Sequence, residues 1–231
     1  MANIEKIREI AKAFLYCDIR LTSISMVVHH PYTDSPFFIE KRNGEMTARN
    51  ICEDEEALRE WQSQILKKID EFDTPYQFYF FIKKSFRLAF LKYTYHFLTD
   101  KELAEALRAI WTSVEYPNND PNFTQAQMIR LFKRAKINNL CTESEITAIE
   151  EMSEPITIFR GIQKGASVKR MSWTTSLQIA KWFAKRFNNN GEIYSARVPK
   201  NAILAYFDSG EKEVIVDPKT LQDMKVVKSH I

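Results

Sequence analysis

Two glutamates, Glu211 and Glu213, stand one residue apart in the segment SGEKEVIVDP (209–218). Alternate side chains of a β-strand point to the same face, so a strand here predicts both carboxylates on one surface. Like charges held so close raise each other's pKa and destabilise the protein unless something compensates. Such carboxylates can stabilise a developing positive charge or take up a proton. The alternative is a solvated strand edge, which protects against aggregation.

An arginine precedes this pair in the chain, at the end of a predicted strand. In IFRGI (158–162), Arg160 is followed by Gly161, a residue with no side chain. The guanidinium can present its fork of donors to a phosphate while the ligand approaches the backbone closely at the glycine. The alternative is a surface arginine before a turn.

Three consecutive hydroxyl residues, Thr174, Thr175 and Ser176, lie between these two segments in SWTTSLQIAKWFAKRF (172–187). They lead from a strand into a helix whose apolar residues share one face, namely Ala180, Phe183, Ala184 and Phe187. Hydroxyl side chains at a helix start normally cap free backbone amides. One cap is enough, so at least one of the three is predicted to face elsewhere.

The elements that position these residues change in type near residue 155. Before it, capping signals and apolar periodicity predict helices at 3–17, 54–72, 75–98, 100–115, 124–136 and 143–152, with an extended piece at 36–44. After it, β-forming residues predict strands at 156–159, 193–199, 202–207, 213–216 and 224–227. We expect an α+β fold with a helical N-terminal region (1–150) packed on a small, mostly antiparallel β core (151–231). The two regions could form one compact catalytic domain.

Length and composition are those of an ordinary globular protein. The chain has 231 residues, of which 45% are hydrophobic and 27% charged, with a net charge of +3. That charge is too slight to indicate nucleic-acid or membrane binding by itself. The three cysteines are far apart and no histidine lies beside them, which favours free thiols over disulfides or a zinc site. No metal, no membrane-spanning segment and no signal peptide is predicted, so a cytoplasmic location is expected.

The order of the three motifs resembles the Arg–Ser–Glu branch of the ADP-ribosyltransferase family, which includes cholera-toxin-like and clostridial-exoenzyme-like enzymes. The resemblance covers residues 155–228, roughly a third of the chain, and includes the strands of GEIYSARVPKNAILAYF. It implies a split antiparallel β core that binds NAD+ as co-substrate and needs no metal. The enzyme would break the nicotinamide–ribose bond of NAD+ and pass ADP-ribose to a nucleophile.

The resemblance also implies a role for each residue around the substrate. Arg160 would hold the phosphates and ribose of NAD+, and Gly161 would let the nicotinamide end approach the backbone. Thr174 stands where the family has the first serine of Ser-Thr-Ser, whose hydroxyl group orients the catalytic glutamate. Threonine keeps that hydroxyl group and adds a methyl group. Thr175 and Ser176 complete the expected NAD+-binding set.

The two glutamates would divide the chemistry between them. Glu213 would be the catalytic residue that stabilises the oxocarbenium-like ribose as nicotinamide leaves. Glu211 would face the acceptor; glutamate at this position resembles arginine-modifying members, and glutamine resembles members that modify asparagine or guanine. Phe207, in the turn before it, is a candidate acceptor contact. Arg186 and residues 188–190 are candidates for a loop over NAD+, or equally for a flexible polar loop.

The expected function is therefore NAD-dependent mono-ADP-ribosylation of a macromolecule, at a protein arginine or a nucleic-acid base. The family suggests a bacterial or phage-related toxin or defence effector, with a neutralising antitoxin or immunity protein as a partner. Two alternatives stay open. One is an NAD glycohydrolase that uses water as acceptor, and the other is a catalytically silent RNA-binding module on the same fold.

Two segments before the β core also have two interpretations. The aromatic and basic segment 77–98 has the composition that binds single-stranded nucleic acid. An apolar helix with one polar stripe is more typical of a core helix, which is the favoured interpretation. Trp111 and Glu115 lie one helical turn apart. Trp111 either flanks the NAD+ cleft or, as favoured, is a core residue beside a solvated glutamate.

Overall fold

The computed structural model describes residues 1–42, 44–115, 117–186 and 191–227. The chain divides into two compact units, Met1–Glu102 and Leu103–Ile231. The sequence marks the change from helices to strands near residue 155, but the division by packing comes earlier. The reason is that the helices between 103 and 151 pack on the sheet that follows them.

The N-terminal unit combines helices with two small antiparallel sheets. Its helices are α1 (Ile4–Leu15), α2 (Glu55–Asp70), α3 (Pro75–Phe81) and α4 (Arg87–Thr94). Its sheets pair β1 (Arg20–Leu21) with β2 (Val28–His29), and β3 (Phe37–Arg42) with β4 (Glu45–Asn50). The extended piece predicted at 36–44 is thus the first strand of a hairpin.

The helix predicted over 75–98 is interrupted, which corrects the prediction of a single element. The chain leaves the helical conformation at Ile82 and resumes it in α4. The guanidinium group of Arg87 donates to the backbone oxygens of Ile82, at 3.1 Å, and Phe80, at 3.3 Å. These bonds satisfy carbonyl groups near the end of α3, where no further helical turn supplies donors. Phe78 and Phe90, on either side of the break, are buried in the core.

The second unit contains the remaining helices and a larger sheet. Helix α5 (Asp100–Trp111) crosses the boundary between the units, and α6 (Gln125–Ala135), α7 (Ile137–Leu140), α8 (Glu143–Glu151) and α9 (Leu177–Lys185) follow. The strands are β5 (Ile156–Gln163), β6 (Ser172–Thr174), β7 (Gly191–Val198), β8 (Ile203–Phe207), β9 (Glu213–Val216) and β10 (Gln222–Val226). In the described ranges, no helix is long and apolar enough to cross a membrane.

Six of the described strands form one antiparallel sheet in the order β10-β7-β5-β6-β9-β8. This confirms the predicted α+β class and its antiparallel sheet. Strands β5 and β7 pair along their whole length, from Ile156 opposite Val198 to Gln163 opposite Gly191. By contrast, β5 and β6 share a single register pair among the described residues, Phe159 opposite Thr174. The sheet therefore nearly divides between β5 and β6.

Both faces of this sheet are covered. On one face, Ile156 and Ile158 of β5 belong to the same buried cluster as Ile149 of α8. On the other face, Ala180 and Ala184 of α9 pack on the strands. Because side chains alternate along β5, Phe159 faces the opposite side from the two isoleucines and packs against the cluster of α9.

Helix α9 approaches the sheet very closely at two glycines. A Cβ atom on Gly161 would lie 1.9 Å from the carbonyl oxygen of Ala180. A Cβ atom on Gly191 would lie 2.1 Å from the carbonyl oxygen of Ala184. Any side chain at either position would overlap the helix backbone, so glycine is required for space rather than for backbone conformation.

Candidate functional site

A cavity of about 730 Å³ opens in the second unit where the sheet nearly divides. Arg160 of β5, Thr174 of β6 and Glu213 of β9 all line it, and so does Glu211. The order of motifs in the sequence therefore corresponds to one place in the fold. The volume lies in the range typical of small-molecule and cofactor sites.

Arg160 lies on the β5 side of this division and is short of anionic partners. Its Nη1 donates to the backbone oxygen of Ser172 on β6. Its Nε is buried and has no hydrogen-bond partner among the described residues. Burial lowers the pKa of Arg160 to about 10; the nearby charge of Arg170 acts in the same direction, and that of Glu213 opposes it. The group stays protonated at neutral pH, but its environment favours the arrival of an anion.

Arg170 is a second cation in the wall of the cavity. Its Nη1 lies 3.5 Å from the backbone oxygen of Asn118, and no carboxylate in the described ranges forms an ion pair with it. Arg186 also lines the cavity, with its guanidinium 5.6 Å from the ring centre of Trp182. Residues 188–190, predicted with Arg186 as a loop over NAD+, lie outside the described residues.

Glu213 is the first residue of β9, opposite Thr174 in the sheet register. Burial raises the pKa of Glu213 most, and the charge of Glu211 raises it further. Side-chain hydrogen bonds from Ser172 and Trp111 lower it, as does the charge of Arg160. Burial prevails, so the pKa lies above that of an ordinary glutamate. Titratable groups with pKa values shifted by burial and charged neighbours, in a cavity, are typical of active sites.

Trp111 is both a core residue and part of the wall of this cavity. It is 3% exposed and packs edge-on against Phe132, with ring centroids 5.0 Å apart. It also lines the cavity, and its indole Nε1 donates to Oε1 of Glu213 at 3.0 Å. Helix α5 ends at Trp111, so the helical spacing predicted between Trp111 and Glu115 is wrong, although Glu115 also lines the cavity. The bond to Glu213 joins residues 102 positions apart, and no local pattern reveals it.

Glu211 reaches the cavity by a route that the sequence did not predict. Strand β9 begins only at Glu213, and Glu211 lies in the turn before it. Lys212 has φ +47° and Gly210 φ +87°, so strand alternation does not extend back to Glu211. The expectation that the strand itself places both carboxylates on one face is therefore wrong. The turn brings them to the same cavity, with Glu211 exposed to solvent.

The hydroxyl group of Thr174 does not make the contact expected of it. Its Oγ1 donates to the backbone oxygen of Glu211 at 2.7 Å. The hydroxyl group that lowers the pKa of Glu213 belongs to Ser172, two residues earlier on the same face of β6. Thr174 therefore fixes the turn that carries Glu211, and Ser172 takes the position next to the catalytic candidate. Ser172 precedes the hydroxyl triplet of residues 174–176, and no motif in the sequence singles it out.

Thr175 and Ser176 do not line the cavity. The backbone amide of Thr175 donates to the oxygen of Lys212 at 3.1 Å, which ties β6 to the turn before β9. Ser176 is the N-cap of α9, and its Oγ accepts a hydrogen bond from the amide of Ile179 at 3.4 Å. Both positions serve the local structure, and neither contributes to the wall of this cavity.

Gly161 contributes backbone to the cavity wall, but its missing side chain does not point there. The space that a Cβ atom would need is taken by Ala180 of α9. Packing against α9 alone requires a glycine here, and the contact of this backbone with the nicotinamide end of a ligand stays a prediction. The close approach of α9 fixes β5, and with it the neighbouring Arg160.

A second arginine–glutamate pair anchors the start of the turn. Arg108 and Glu145 form two hydrogen bonds, of 2.6 and 2.9 Å, and the amide of Asp208 donates to Glu145 at 2.9 Å. Although burial raises the pKa of Glu145, bonds from Arg108, Thr142 and Asp208 lower it to about 2. Phe207, a predicted acceptor contact, is fully buried with the guanidinium of Arg108 5.1 Å from its ring centre. It cannot contact an acceptor there.

In the described part of the chain, no group of three or more His, Cys, Asp or Glu residues could hold a metal ion. Comparison of the chain with protein-family models, curated proteins and solved structures gave no match in any of the three. The function has to be inferred from the geometry of the cavity itself.

Proposed function

We propose that this protein is an NAD+-dependent mono-ADP-ribosyltransferase of the Arg–Ser–Glu type. The carrying observation is that a guanidinium short of anions, Arg160, and a hydrogen-bonded glutamate with a raised pKa, Glu213, line one cavity at the division of the sheet. This is the pair of groups that a reaction with an anionic substrate and a cationic transition state requires. The division of the antiparallel sheet supports the same assignment.

The charges and the aromatic residues of the cavity suit a dinucleotide. Arg160 and Arg170 supply two guanidinium groups that no described carboxylate neutralises through an ion pair. A diphosphate would relieve their mutual repulsion and can accept bidentate hydrogen bonds from them. Phe159 and Phe183 also line the cavity and offer rings against which a base or nicotinamide can pack.

Glu213 would act on the ribose. As the C1′–N bond to nicotinamide breaks, its electron pair leaves with neutral nicotinamide and positive charge develops on the ribose. A carboxylate fixed beside that charge stabilises the transition state more than the ground state. The raised pKa makes the ionised state harder to reach, so the donors from Ser172 and Trp111 support the form of Glu213 that catalysis needs.

Glu211 would act on the acceptor. It is exposed at the same cavity, at the end of a turn held by Thr174. An acceptor nitrogen that forms the new bond to C1′ loses a proton, and a carboxylate can take it up. The acceptor is a nitrogen of a macromolecule, either a protein arginine or a nucleic-acid base. An enzyme of this activity inside the cell that makes it requires a neutralising antitoxin or immunity protein, which we include as an expected partner.

The test uses NAD+ labelled in the adenylate part, incubated with the purified protein and a cell extract. We expect label to become bound to macromolecules with the wild-type protein and not with Glu213→Gln. Removal of that label by protease identifies a protein acceptor, and removal by nuclease identifies a nucleic acid. Free ADP-ribose as the only product would make the protein a glycohydrolase. Failure to consume NAD+ would reject the proposal and favour a silent binding module.

A further inference from the structure

We propose that Trp111 is a positioning residue for Glu213, whose indole N–H holds the carboxylate in the ionised and oriented form that the reaction uses. The kinetic consequences rest on the proposed function. The pairing itself can be tested on the protein alone, without NAD+.

The chemistry of the donor is the first argument. Indole Nε1 can donate a hydrogen bond but cannot accept one, so it favours the carboxylate over the protonated acid. A hydroxyl group such as that of Ser172 can rotate and accept a bond from a protonated carboxyl, so it discriminates less between the two forms. The 3.0 Å bond between Nε1 of Trp111 and Oε1 of Glu213 therefore selects the ionised form.

The setting of the indole is the second argument. Trp111 ends α5 and is 3% exposed, and its ring meets the fully buried Phe132 at an interplanar angle of 88°. The donor is fixed by packing and is shielded from competing water, so it can fix the orientation of the Glu213 carboxylate as well as its charge. A rigid donor next to the reacting centre is what preorganised electrostatic catalysis needs.

The neutrality of the indole is the third argument. The nicotinamide ring of NAD+ carries a positive charge, and the ribose acquires one as the bond breaks. A lysine or arginine in place of Trp111 would also hold Glu213, but its charge would repel both. An indole N–H stabilises the carboxylate without cancelling its field.

The other groups around Glu213 do not by themselves hold its carboxylate in the ionised form. Arg160 on β5 attracts the carboxylate and Glu211 in the preceding turn repels it, so these two charges oppose each other. Ser172 on β6 adds a hydrogen bond. Arg170 lowers the pKa of Arg160, so its positive charge lies in the same part of the cavity. Burial raises the pKa of Glu213 by more than its neighbours lower it, and the hydrogen bond from Trp111 opposes that rise.

The first test measures the pairing directly. The protein has four tryptophans, and ¹⁵N labelling of their indole groups gives one NMR signal for each. We expect the Trp111 signal to move with pH, at a midpoint above that of an ordinary glutamate, and the movement to disappear in Glu213→Gln. The Trp173 indole donates to the backbone oxygen of Arg170 at 2.9 Å and serves as the reference signal. A Trp111 signal that titrates identically in Glu213→Gln would overturn the inference.

The second test is Trp111→Phe, which keeps an aromatic ring and removes the N–H group. We expect the acid limb of the pH profile of kcat to move up by about one pH unit, because the ionised form loses a donor. KM for NAD+ should stay close to the wild-type value, and kcat should recover at higher pH. Trp61→Phe, which removes the indole N–H of a buried tryptophan that does not line the cavity, is the matched control and should leave the acid limb in place.

Other outcomes separate the possible failures. If Trp111→Phe lowers kcat equally at every pH, Trp111 has a structural role only and the inference is wrong. If the wild-type protein consumes no NAD+, the proposed function fails, and the NMR titration still decides whether Trp111 controls Glu213. Because that titration uses the wild-type fold, it holds even if Trp111→Phe fails to fold.

Discussion

Two arginine–glutamate pairs in the same unit behave in opposite ways. Arg108 and Glu145 bond directly through two hydrogen bonds, and the pKa of Glu145 falls to about 2. The charges of Arg160 and Glu213 influence each other's pKa, but the two side chains form no ion pair within the described residues. Burial lowers the pKa of Arg160 to about 10 and raises that of Glu213. The charges of the first pair compensate each other directly, whereas those of the second pair do not; in the proposed function, NAD+ would compensate Arg160.

The neighbours of each pair account for the difference. The carboxylate of Glu145 also accepts bonds from the amides of Thr142 and Asp208, so its charge is well stabilised where it lies. Arg160 instead has a buried Nε without a described partner and a second arginine nearby. The fully hydrogen-bonded network of Arg108 and Glu145 stabilises the fold. Uncompensated charge beside a cavity, as at Arg160, is instead typical of a binding or catalytic site.

The largest effect is expected from Glu213→Gln. The substitution keeps the size of the side chain and removes the negative charge, so NAD+ turnover should fall by about 10²–10³-fold or more. The measurement is the rate of NAD+ consumption at saturating substrate. Turnover close to the wild-type value would show that Arg160 and Glu213 are not the catalytic pair.

Glu145→Gln should act on stability instead. Breaking a buried, bidentate pair leaves Arg108 without its anion, so we expect a loss of about 3 kcal/mol in the free energy of unfolding. The folded pKa of Glu145 lies near 2, below the ordinary 4.5. Its contribution is therefore present above pH 4.5 and is lost as the pH falls towards 2. Denaturant unfolding at several pH values should show the deficit of the variant shrinking over that window, and a constant deficit would contradict the assignment.

Replacing each of the two arginines by lysine should have smaller effects, on KM for Arg160 and on stability for Arg108. Arg160→Lys keeps the charge and loses the planar fork, so KM for NAD+ should rise about tenfold. Arg108→Lys loses one bond to Glu145 and should cost about 1 kcal/mol of stability with KM unchanged. Steady-state kinetics and thermal unfolding of both variants check this. Equal changes in KM would remove the distinction between the pairs.

The smallest effect is expected on the free energy of unfolding of Glu213→Gln, because an ionised Glu213 destabilises the folded protein. Because its folded pKa is raised, the folded state binds a proton more readily than the unfolded state, and stability rises as the pH falls through that pKa. At neutral pH, Glu213→Gln should be at least as stable as the wild-type protein, and the difference should vanish below the ordinary glutamate pKa. A variant that is clearly less stable at pH 7 would argue that Glu213 serves the fold.

Much of the fold could be predicted because its signals are local. The capping box of Thr142 with Glu145 marked the start of α8, and β-forming residues marked β9. The break between α3 and α4 could not be predicted, because it depends on where the side chain of Arg87 finds its acceptors. The division of the chain after Glu102 is likewise a property of packing.

The site shows the same limit. Arg160, Glu211 and Glu213 line one cavity, as the order of the motifs in the sequence predicted. The contacts that tune them come from Trp111 and Ser172, which no spacing rule connects to β9. The close approach of α9 to Gly161 also requires a glycine there, and no local pattern in the sequence reveals that contact.

The central claim is tested most directly by nicotinamide release. The purified wild-type protein is incubated, with cell extract as a source of acceptors, with NAD+ labelled in the nicotinamide ring. Glu213→Gln is the parallel sample, and thermal unfolding verifies that both are folded. We predict labelled free nicotinamide from the wild-type protein and about 10²–10³-fold less from the variant. Equal release from the two folded proteins, or none above a protein-free blank, would contradict the account.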